Sequence, residues 1–437
     1  MEQSLKALTE QLPDKPLFRL YGRVTKVLGM TVESLGPHAT LGDICEIQGG
    51  RSRCYAEVVG FRDGHLILVP LGEMADIAPG ADVRARHRRL SVACGDSLLG
   101  RIIDGLGQPM DGLGPLSNAR PQEIERSPVP ALRRQRIEHA IQTGVRVIDG
   151  LLTVGNGQRV GIFAGSGVGK STLLSMLARG TSADVNVIAL VGERGREVRE
   201  FIERDLGEEG LARSVVIVAT SDQPALIRTK AAFVATAIAE FFRDQGKHVN
   251  FMMDSVTRFA MAQREIGLAA GEPPTARGYT PSVFALLPKL LERTGPGEWG
   301  SITAFYTVLV DGDDMNDPIA DTVRGILDGH IVLARKLANA GQYPAVDVLA
   351  SVSRLFSTVA VKRHQQAAHM ARAWLSKYRD VEDLLRIGAY RQGADPDIDI
   401  AIAKMPQLSA VLQQQTDDLT TFDETLTRLY TVAEVAE

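Results

Sequence analysis

The residues best suited to chemistry form a glycine-rich run at positions 164–171, with the sequence AGSGVGKS. Apolar residues precede the run and a helix-like stretch follows it, which is the strand–loop–helix context of a phosphate-binding P-loop. Glycines let the backbone curl so that its N–H groups point inward at a phosphate, and the following helix adds the positive end of its dipole. Ala164 replaces the usual first glycine; because this position ends the strand, it tolerates a methyl group.

This run predicts an ATP site that uses Mg²⁺. Lys170 is expected to reach the β- and γ-phosphates, and the Ser171 hydroxyl is expected to ligate the metal. A chance glycine-rich turn is the alternative, but such a turn does not require a strand before it and a helix after it. The residues predicted to bind the nucleotide here are Gly165, Ser166, Gly167, Val168, Gly169, Lys170, Ser171 and Thr172.

Two carboxylates are placed to complete this site. Glu193 follows the apolar run 185–191, and Asp254 follows the apolar run 249–253. Ligands of open parallel sheets bind at the C-terminal ends of the strands, so both residues fall where chemistry is expected. We expect Asp254 to act on Mg²⁺, directly or through water, and Glu193 to polarise a water in line with the γ-phosphate. The alternatives are a salt bridge between Glu193 and a neighbouring arginine, and a helix N-cap role for Asp254.

These residues need a scaffold whose strands end at a common edge. From about residue 158 to residue 354, apolar strand-like runs alternate with helical segments. Near-continuous apolar strands separated by helices predict a buried, mainly parallel sheet with helices on both faces. The predicted strands cover residues 159–164, 185–191, 214–219, 249–253, 301–310 and 330–333.

The regions on either side of the predicted sheet have different residue patterns. Residues 21–90 alternate short β-branched or apolar runs with turn residues, which predicts a small barrel or sandwich. Residues 95–150 are rich in Gly, Pro and Asp and are interpreted as a looped connector. Beyond Leu355, apolar residues recur at helical spacing. Residues 1–18 are interpreted either as a frayed terminus or as a partner-binding helix.

Composition narrows the functional classes. The formal net charge is -4, so no overall electrostatic attraction to nucleic acid or anionic lipid is expected. The three cysteines, Cys45, Cys54 and Cys94, fit neither a disulfide framework nor a zinc site, and we interpret them as reduced packing residues. No apolar run reaches the roughly 18 residues that span a bilayer, and the N-terminus does not resemble a secretory signal. The sequence predicts a cytoplasmic protein with at most peripheral membrane contact.

Several longer stretches carry a family likeness that a P-loop alone would not give. The chain resembles the export ATPases of type III secretion systems, relatives of the catalytic subunit of rotary ATP synthases, and the likeness covers nearly its whole length. The flagellar branch is favoured by residues 221–249 and 311–330. The stretches that carry the resemblance are GERGREVREFI (192–202), MMDSVTRFAMAQREIGLA (252–269), GEPPTARGYTPSVFA (271–285), GSITAFYTVLVDGDD (300–314), ILDGHIVLAR (326–335) and YPAVDVLASVSR (343–354).

The resemblance implies an α/β fold with a RecA-like P-loop NTPase core, an N-terminal β-barrel and a C-terminal helical domain. It also implies roles for polar residues around the γ-phosphate. Glu193 matches the catalytic carboxylate, and Asp254 matches the Mg²⁺-side aspartate. Arg194 and Glu197 match further polar positions beside the γ-phosphate, and Arg258 matches a nearby phosphate-side arginine.

Two more positions are assigned through the family. Tyr343 matches the aromatic residue that stacks on adenine, and Arg354 matches an arginine finger that a neighbouring subunit inserts into the site. A fixed guanidinium stabilises the charge that spreads over the γ-oxygens in a loose phosphoryl transition state. An arginine finger in trans implies a homohexamer; an internal ion pair of Arg354 is the alternative.

The resemblance implies an ATPase that energises or primes flagellar protein export at the cytoplasmic face of the inner membrane. Its implied partners are a stator-like regulator near the N-terminus, a central stalk protein, membrane proteins of the export gate, and export substrates with their chaperones. The expected domains are an N-terminal partner or oligomerisation segment (1–18), a β-barrel (19–92), the ATPase domain with its leading connector (93–355) and a helical domain (356–437).

Other functions remain in competition. A virulence-type injectisome ATPase shares the same motifs. A non-catalytic rotary subunit would typically lack the glutamate found at position 193. A hexameric nucleic-acid motor would need a basic, aromatic-bearing platform, but the N-terminal region has few aromatic residues. The short N-terminal region and the export-like motifs disfavour a proton-driven ATP synthase subunit.

Overall fold

The computed structural model describes residues 20–50, 52–74, 76–310, 312 and 314–435. The predicted partner segment, residues 1–18, lies outside them. The described chain divides into two compact units. One ends at Leu90 and includes Ala269–Gly271, and the other contains Ser91–Leu268 and the chain from Glu272 onward.

The first unit is a closed antiparallel barrel with the strand order β1-β2-β5-β4-β3-β6. Sequence reasoning left open a barrel or a sandwich; closure leaves no free sheet edge. Its core contains Val32, Ile47, Val58 and Leu68, which are almost completely buried. The barrel strands are β1 Gly22–Leu28, β2 Thr31–Leu35, β3 Ile44–Gln48, β4 Arg53–Arg62, β5 His65–Pro70 and β6 Asp82–Ala85.

The second unit is built on a sheet with the order β17-β16-β10-β15-β13-β11-β12-β8, in which β14 also pairs with β15. Neighbouring strands from β16 to β8 are parallel, which confirms the predicted parallel sheet. The strands β7 and β9 form a separate two-stranded sheet. The strands are β7 Ser91–Cys94, β8 Ile102–Asp104, β9 Arg120–Glu123, β10 Arg159–Ala164, β11 Val185–Val191, β12 Ser214–Ala219, β13 His248–Asp254, β14 Gly295–Pro296, β15 Ser301–Leu309, β16 Gly329–Leu333 and β17 Val352–Ser353.

Helices connect these strands and then continue beyond the sheet. A π-helical turn, Phe201–Leu206, separates α3 from α4. Within the described part of the chain, no helix combines the length and the apolar character needed to cross a bilayer. The helices are α1 Arg146–Leu151, α2 Lys170–Gly180, α3 Gly195–Glu200, α4 Gly207–Ala212, α5 Ala225–Asp244, α6 Val256–Ala270, α7 Pro281–Leu291, α8 Pro318–Ile326, α9 Arg335–Asn339, α10 Phe356–Val359, α11 Lys362–Arg386, α12 Pro396–Leu412 and α13 Phe422–Ala433.

The helices beyond Leu355 share a hydrophobic core with the sheet. One buried cluster runs from Ile162 of β10 through Ile148 of α1 to Leu408 of α12 and Leu429 of α13. Continuous burial of this kind favours a single packed body, because each apolar stripe is covered by the next element. The short helix α1 lies at the centre of this arrangement, since it packs against α11, α12 and α13.

Candidate functional site

The P-loop joins the end of β10 to the start of α2. Gly167 and Gly169 have φ angles of 75° and 93°, in the left-handed region that glycine adopts at little cost. No side chain of the described residues caps α2, so its first-turn N–H groups remain available to a ligand. Amides at a helix N-terminus together with a curled glycine loop form an anion cradle.

The two predicted carboxylates meet the P-loop lysine in a buried cluster. Lys170 Nζ lies 2.6 Å from Asp254 Oδ1 and 3.5 Å from Glu193 Oε1. The cluster forms because β10, β11 and β13 run parallel, so the residues that follow them meet at one edge of the sheet. The alternative salt bridge for Glu193 is not formed among the described residues, since Arg194 pairs with Glu197 instead.

The ionisation of this cluster suits proton transfer near neutral pH. Burial raises the pKa of the Glu193 carboxyl to about 7, and the charge of Asp254 adds to the rise while Lys170 opposes it. Burial lowers the pKa of Lys170, but the charges of Asp254 and Glu193 outweigh this and leave that pKa raised, so the ammonium stays protonated. A general base works best when its pKa lies close to the operating pH.

Sequence reasoning missed Thr307, which is fully buried in β15 between β10 and β13. Its hydroxyl oxygen lies 2.8 Å from Asp254 Oδ1 and 3.3 Å from the Met253 carbonyl. A hydroxyl has one proton to donate, and the shorter contact to a charged acceptor is the stronger one. Thr307 and Lys170 therefore both donate to Oδ1, while Oδ2 makes no hydrogen bond with the described residues.

The available metal donors fit Mg²⁺. They are the exposed Ser171 hydroxyl, at the start of α2, and the unused Oδ2 of Asp254. Mg²⁺ is usually held by one or two protein oxygens, together with nucleotide phosphates and water. The described residues contain no cluster of three or more His, Cys, Asp or Glu side chains suited to a metal, so phosphate oxygens and water would complete the coordination.

The other predicted site residues lie at different distances from the cluster. Tyr343 lies beside the P-loop, since a Cβ placed on Gly169 would be 3.5 Å from the tyrosine ring, and the residue is 43% exposed. Arg258 lies against Gly192, in the loop that follows β11, and its buried Nε has no hydrogen-bond partner among the described residues. Arg194 is not in the buried cluster, because its side chain is 78% exposed.

Arg354 lies at the opposite end of the sheet from the P-loop. Its N–H donates to the Asp328 carbonyl, and the Asp328 carboxylate binds Arg159 at the start of β10. The P-loop follows the end of β10, Ala164, and strands rise about 3.3 Å per residue, which separates the two by roughly 17 Å. The Arg354 side chain is exposed and donates to the Arg324 carbonyl; it forms no ion pair with a described residue.

Two family models match the chain. Residues 144–353 match the nucleotide-binding domain of the ATP synthase alpha/beta family. Residues 360–431 match the C-terminal domain of the ATPase EscN of type III secretion systems. The first match contains the P-loop, the carboxylate cluster and Tyr343.

Curated relatives are similar over almost their full length. The chain is 59% identical to the flagellum-specific ATP synthase of Bacillus subtilis, covering 94% of this chain and 95% of the relative. It is 53% identical to the type 3 secretion system ATPase of Xanthomonas euvesicatoria, covering 98% of each. The structure is similar to that of assembled EscN from enteropathogenic E. coli, with a TM-score of 0.90, 46% identity and coverage of 94% of this chain and 100% of that chain.

Proposed function

Since this chain belongs to the family of flagellum-specific ATP synthases and type 3 secretion system ATPases, we propose that it forms a homohexamer that uses ATP hydrolysis to energise or prime flagellar protein export. It is an ATP hydrolase by family, with its nucleotide-binding domain at residues 144–353. Beyond the family assignment, we propose the oligomeric state, the class of protein that is exported and the roles of individual residues.

In the proposed mechanism, the P-loop amides and the Lys170 ammonium bind the β- and γ-phosphates. Ser171 and Asp254 would hold Mg²⁺, which when bound would neutralise charge on the phosphate oxygens. Glu193 accepts a proton from the water whose oxygen bonds to the γ-phosphorus, while the bond from the γ-phosphorus to the β,γ-bridging oxygen breaks and ADP leaves. The Glu193 pKa of about 7 permits this proton transfer. Arg258 is placed to pair its unsatisfied donor with a phosphate oxygen. Tyr343 stacks on the adenine.

The observation that carries the homohexamer is the separation of Arg354 from the P-loop of its own chain. An exposed arginine with no acidic partner among the described residues is suited to insertion into a site on another molecule. In the proposed oligomer, a head-to-tail arrangement would bring Arg354 of one subunit to the P-loop of the next, and such interfaces form rings when the rotation between subunits closes. The proposed active site is therefore shared between neighbouring subunits.

A relative supports one of the proposed partners, the central stalk. EscN has been solved in complex with its central stalk EscO, and that structure is similar to this one with a TM-score of 0.87 and 45% identity. We include in the proposal a central stalk protein, a stator-like regulator, membrane proteins of an export gate, and export substrates with their chaperones. The proposed location is the cytoplasmic face of the inner membrane.

An injectisome ATPase is the second candidate, because the Xanthomonas euvesicatoria relative is nearly as similar as the flagellar one. The two candidate functions can be distinguished by expressing this chain in a bacterium whose own flagellar ATPase has been deleted. The flagellar function predicts restored swimming, whereas unrestored swimming together with restored effector secretion in an injectisome mutant would favour the second.

The shared site predicts that ATPase activity depends on protein concentration. Dilute, dissociated subunits lack the arginine of a neighbour, so activity per milligram should rise at least about tenfold as the protein assembles. Steady-state phosphate release, measured alongside the mass of the particles in solution, tests this. Constant specific activity from monomer to assembled particle would contradict the proposal.

Thr307 provides a prediction about the metal-side carboxylate. Replacing it with valine keeps the shape of the side chain but removes the donor to Asp254, and we expect ATP turnover to fall about tenfold with more Mg²⁺ needed for half-maximal activity. Thr307→Ser keeps the hydroxyl and is the control. A valine variant with the Mg²⁺ dependence of the unmodified protein would show that Thr307 only fills space.

A further inference from the structure

We propose that Gln414 is a positioning residue for adenine recognition, acting through the backbone of Tyr343. This inference rests on the proposed function, since it assumes that Tyr343 stacks on the base. Gln414 belongs to the turn between α12 and α13, residues 413–421, and neither the P-loop nor the carboxylate cluster contains any part of that turn. It is 5% exposed although its side chain is polar.

The side chain of Gln414 joins two segments that are distant in the sequence. Its Oε1 accepts the N–H of Arg146, at the start of α1, at 2.8 Å. Its Nε2 donates to the Gly144 carbonyl at 2.8 Å and to the Asp418 carbonyl at 2.6 Å. Both amide protons and the carbonyl oxygen are therefore in use. A satisfied buried polar group fixes one arrangement, since any other would leave donors unpaired.

The backbone of the same residue holds Tyr343. The Gln414 N–H donates to the Tyr343 carbonyl at 2.9 Å. The Tyr343 ring in turn lies against Gly169 of the P-loop. A second link ties the turn to the P-loop helix, because the Arg179 guanidinium of α2 donates to the Thr416 carbonyl at 2.6 Å. Gln414 thus connects the start of α1 with the tyrosine that borders the nucleotide site.

The guanidinium of Arg146 reinforces this attachment. It is 4% exposed and donates to the carbonyls of Val411 and Gln413, to the Thr420 hydroxyl and to the Asp418 carboxylate. These bonds hold the turn on both sides of Gln414. Arg146 therefore fixes the turn as a whole, whereas Gln414 alone also bonds to the tyrosine. For this reason the test is made at Gln414.

The experiment compares a ligand that has the base with one that lacks it. In the full-length protein, Gln414→Met removes the side-chain bonds at similar volume, and we expect the dissociation constant for Mg·ADP to rise about tenfold. The dissociation constant for Mg·tripolyphosphate should change less than about twofold, because the P-loop is untouched. Isothermal titration calorimetry measures both. Gln413→Met is the matched control, since that neighbouring side chain is exposed.

An equal rise in the dissociation constants for both ligands, or no rise in either, would overturn the proposal. If Gln414→Met does not fold, as judged from its thermal transition, the same two dissociation constants are measured for Gln414→Glu, because glutamate retains the acceptor for Arg146.

Tyr343→Ala should show the same selective loss of affinity for Mg·ADP, and adding Gln414→Met to it should lower that affinity little further. A Tyr343→Ala variant with unchanged Mg·ADP affinity would overturn both the stacking role and this proposal. Selective loss of Mg·ADP in a protein that hydrolyses no ATP would support the positioning role and overturn only the proposed activity.

Discussion

Glu193→Gln is expected to bind ATP normally and to lose about 10²–10⁴-fold in turnover, the range typical of a positioned general base. The amide has nearly the same shape as the carboxylate but cannot accept the proton of the attacking water. Because Lys170 and the P-loop amides remain, the dissociation constant for Mg·ATP should stay within about threefold of the unmodified value. Nucleotide binding and single-turnover hydrolysis measure the two effects separately.

A matched control is Glu200→Gln, because Glu200 is an exposed residue of α3 that pairs with Arg196, outside the buried cluster. It should retain most of the activity if Glu193 alone activates water. Turnover by Glu193→Gln above about a tenth of the unmodified protein would rule out the assigned role, since that corresponds to less than about 1.4 kcal/mol of transition-state stabilisation.

The pH dependence gives a second test of the same residue. The pKa of Glu193 is raised to about 7, so the carboxyl is protonated and inactive as a base below that pH. We expect kcat/KM for ATP to fall about tenfold per pH unit below about pH 7 and to level off above it. The dissociation constant for Mg·ADP over the same range is the control, because binding requires no activated water. A profile that is flat between pH 5 and pH 7 would contradict this role.

Arg354→Ala is expected to lower turnover by about 10³–10⁵-fold without weakening nucleotide binding by a similar factor. The expected loss is large because the guanidinium stabilises charge that develops only in the transition state. Arg324→Ala is the matched control, since Arg324 is a nearby arginine whose ion pair is with the exposed Asp321.

Mixing two inactive variants tests whether Arg354 acts on a neighbour. Lys170→Ala retains Arg354, and Arg354→Ala retains the P-loop, so about a quarter of the interfaces in randomly mixed rings contain one intact site. The mixture should recover a corresponding fraction of the activity. No recovery in rings shown to contain both variants would indicate that Arg354 acts only within its own chain.

Local patterns in the sequence predicted much of the fold and of the buried cluster. The P-loop, Glu193 and Asp254 could be identified because each lies at the end of an apolar run, and parallel strands end at the same edge. The predicted strands of the sheet are confirmed within a residue or two. The roles of Arg194, Glu197, Arg258, Tyr343 and Arg354 came from family resemblance and stay predictions.

What the sequence did not reveal depends on contacts between distant segments. Thr307 is a polar residue inside an apolar strand, and its importance follows from the position of β15 between β10 and β13, which chain order does not give. Gln414 bonds to a residue 268 positions away. The edge strand β8 has only three residues, too few for a periodic pattern, and it lies in a region that was interpreted as a looped connector.

The position of Arg354, a full strand length from the P-loop of its own chain, has a consequence for the cell. If Arg354 acts on a neighbour as proposed, a single copy binds nucleotide but lacks the arginine that stabilises the transition state, and it should hydrolyse ATP slowly until a second copy docks. The proposed shared site would therefore tie ATP consumption to assembly of the subunits.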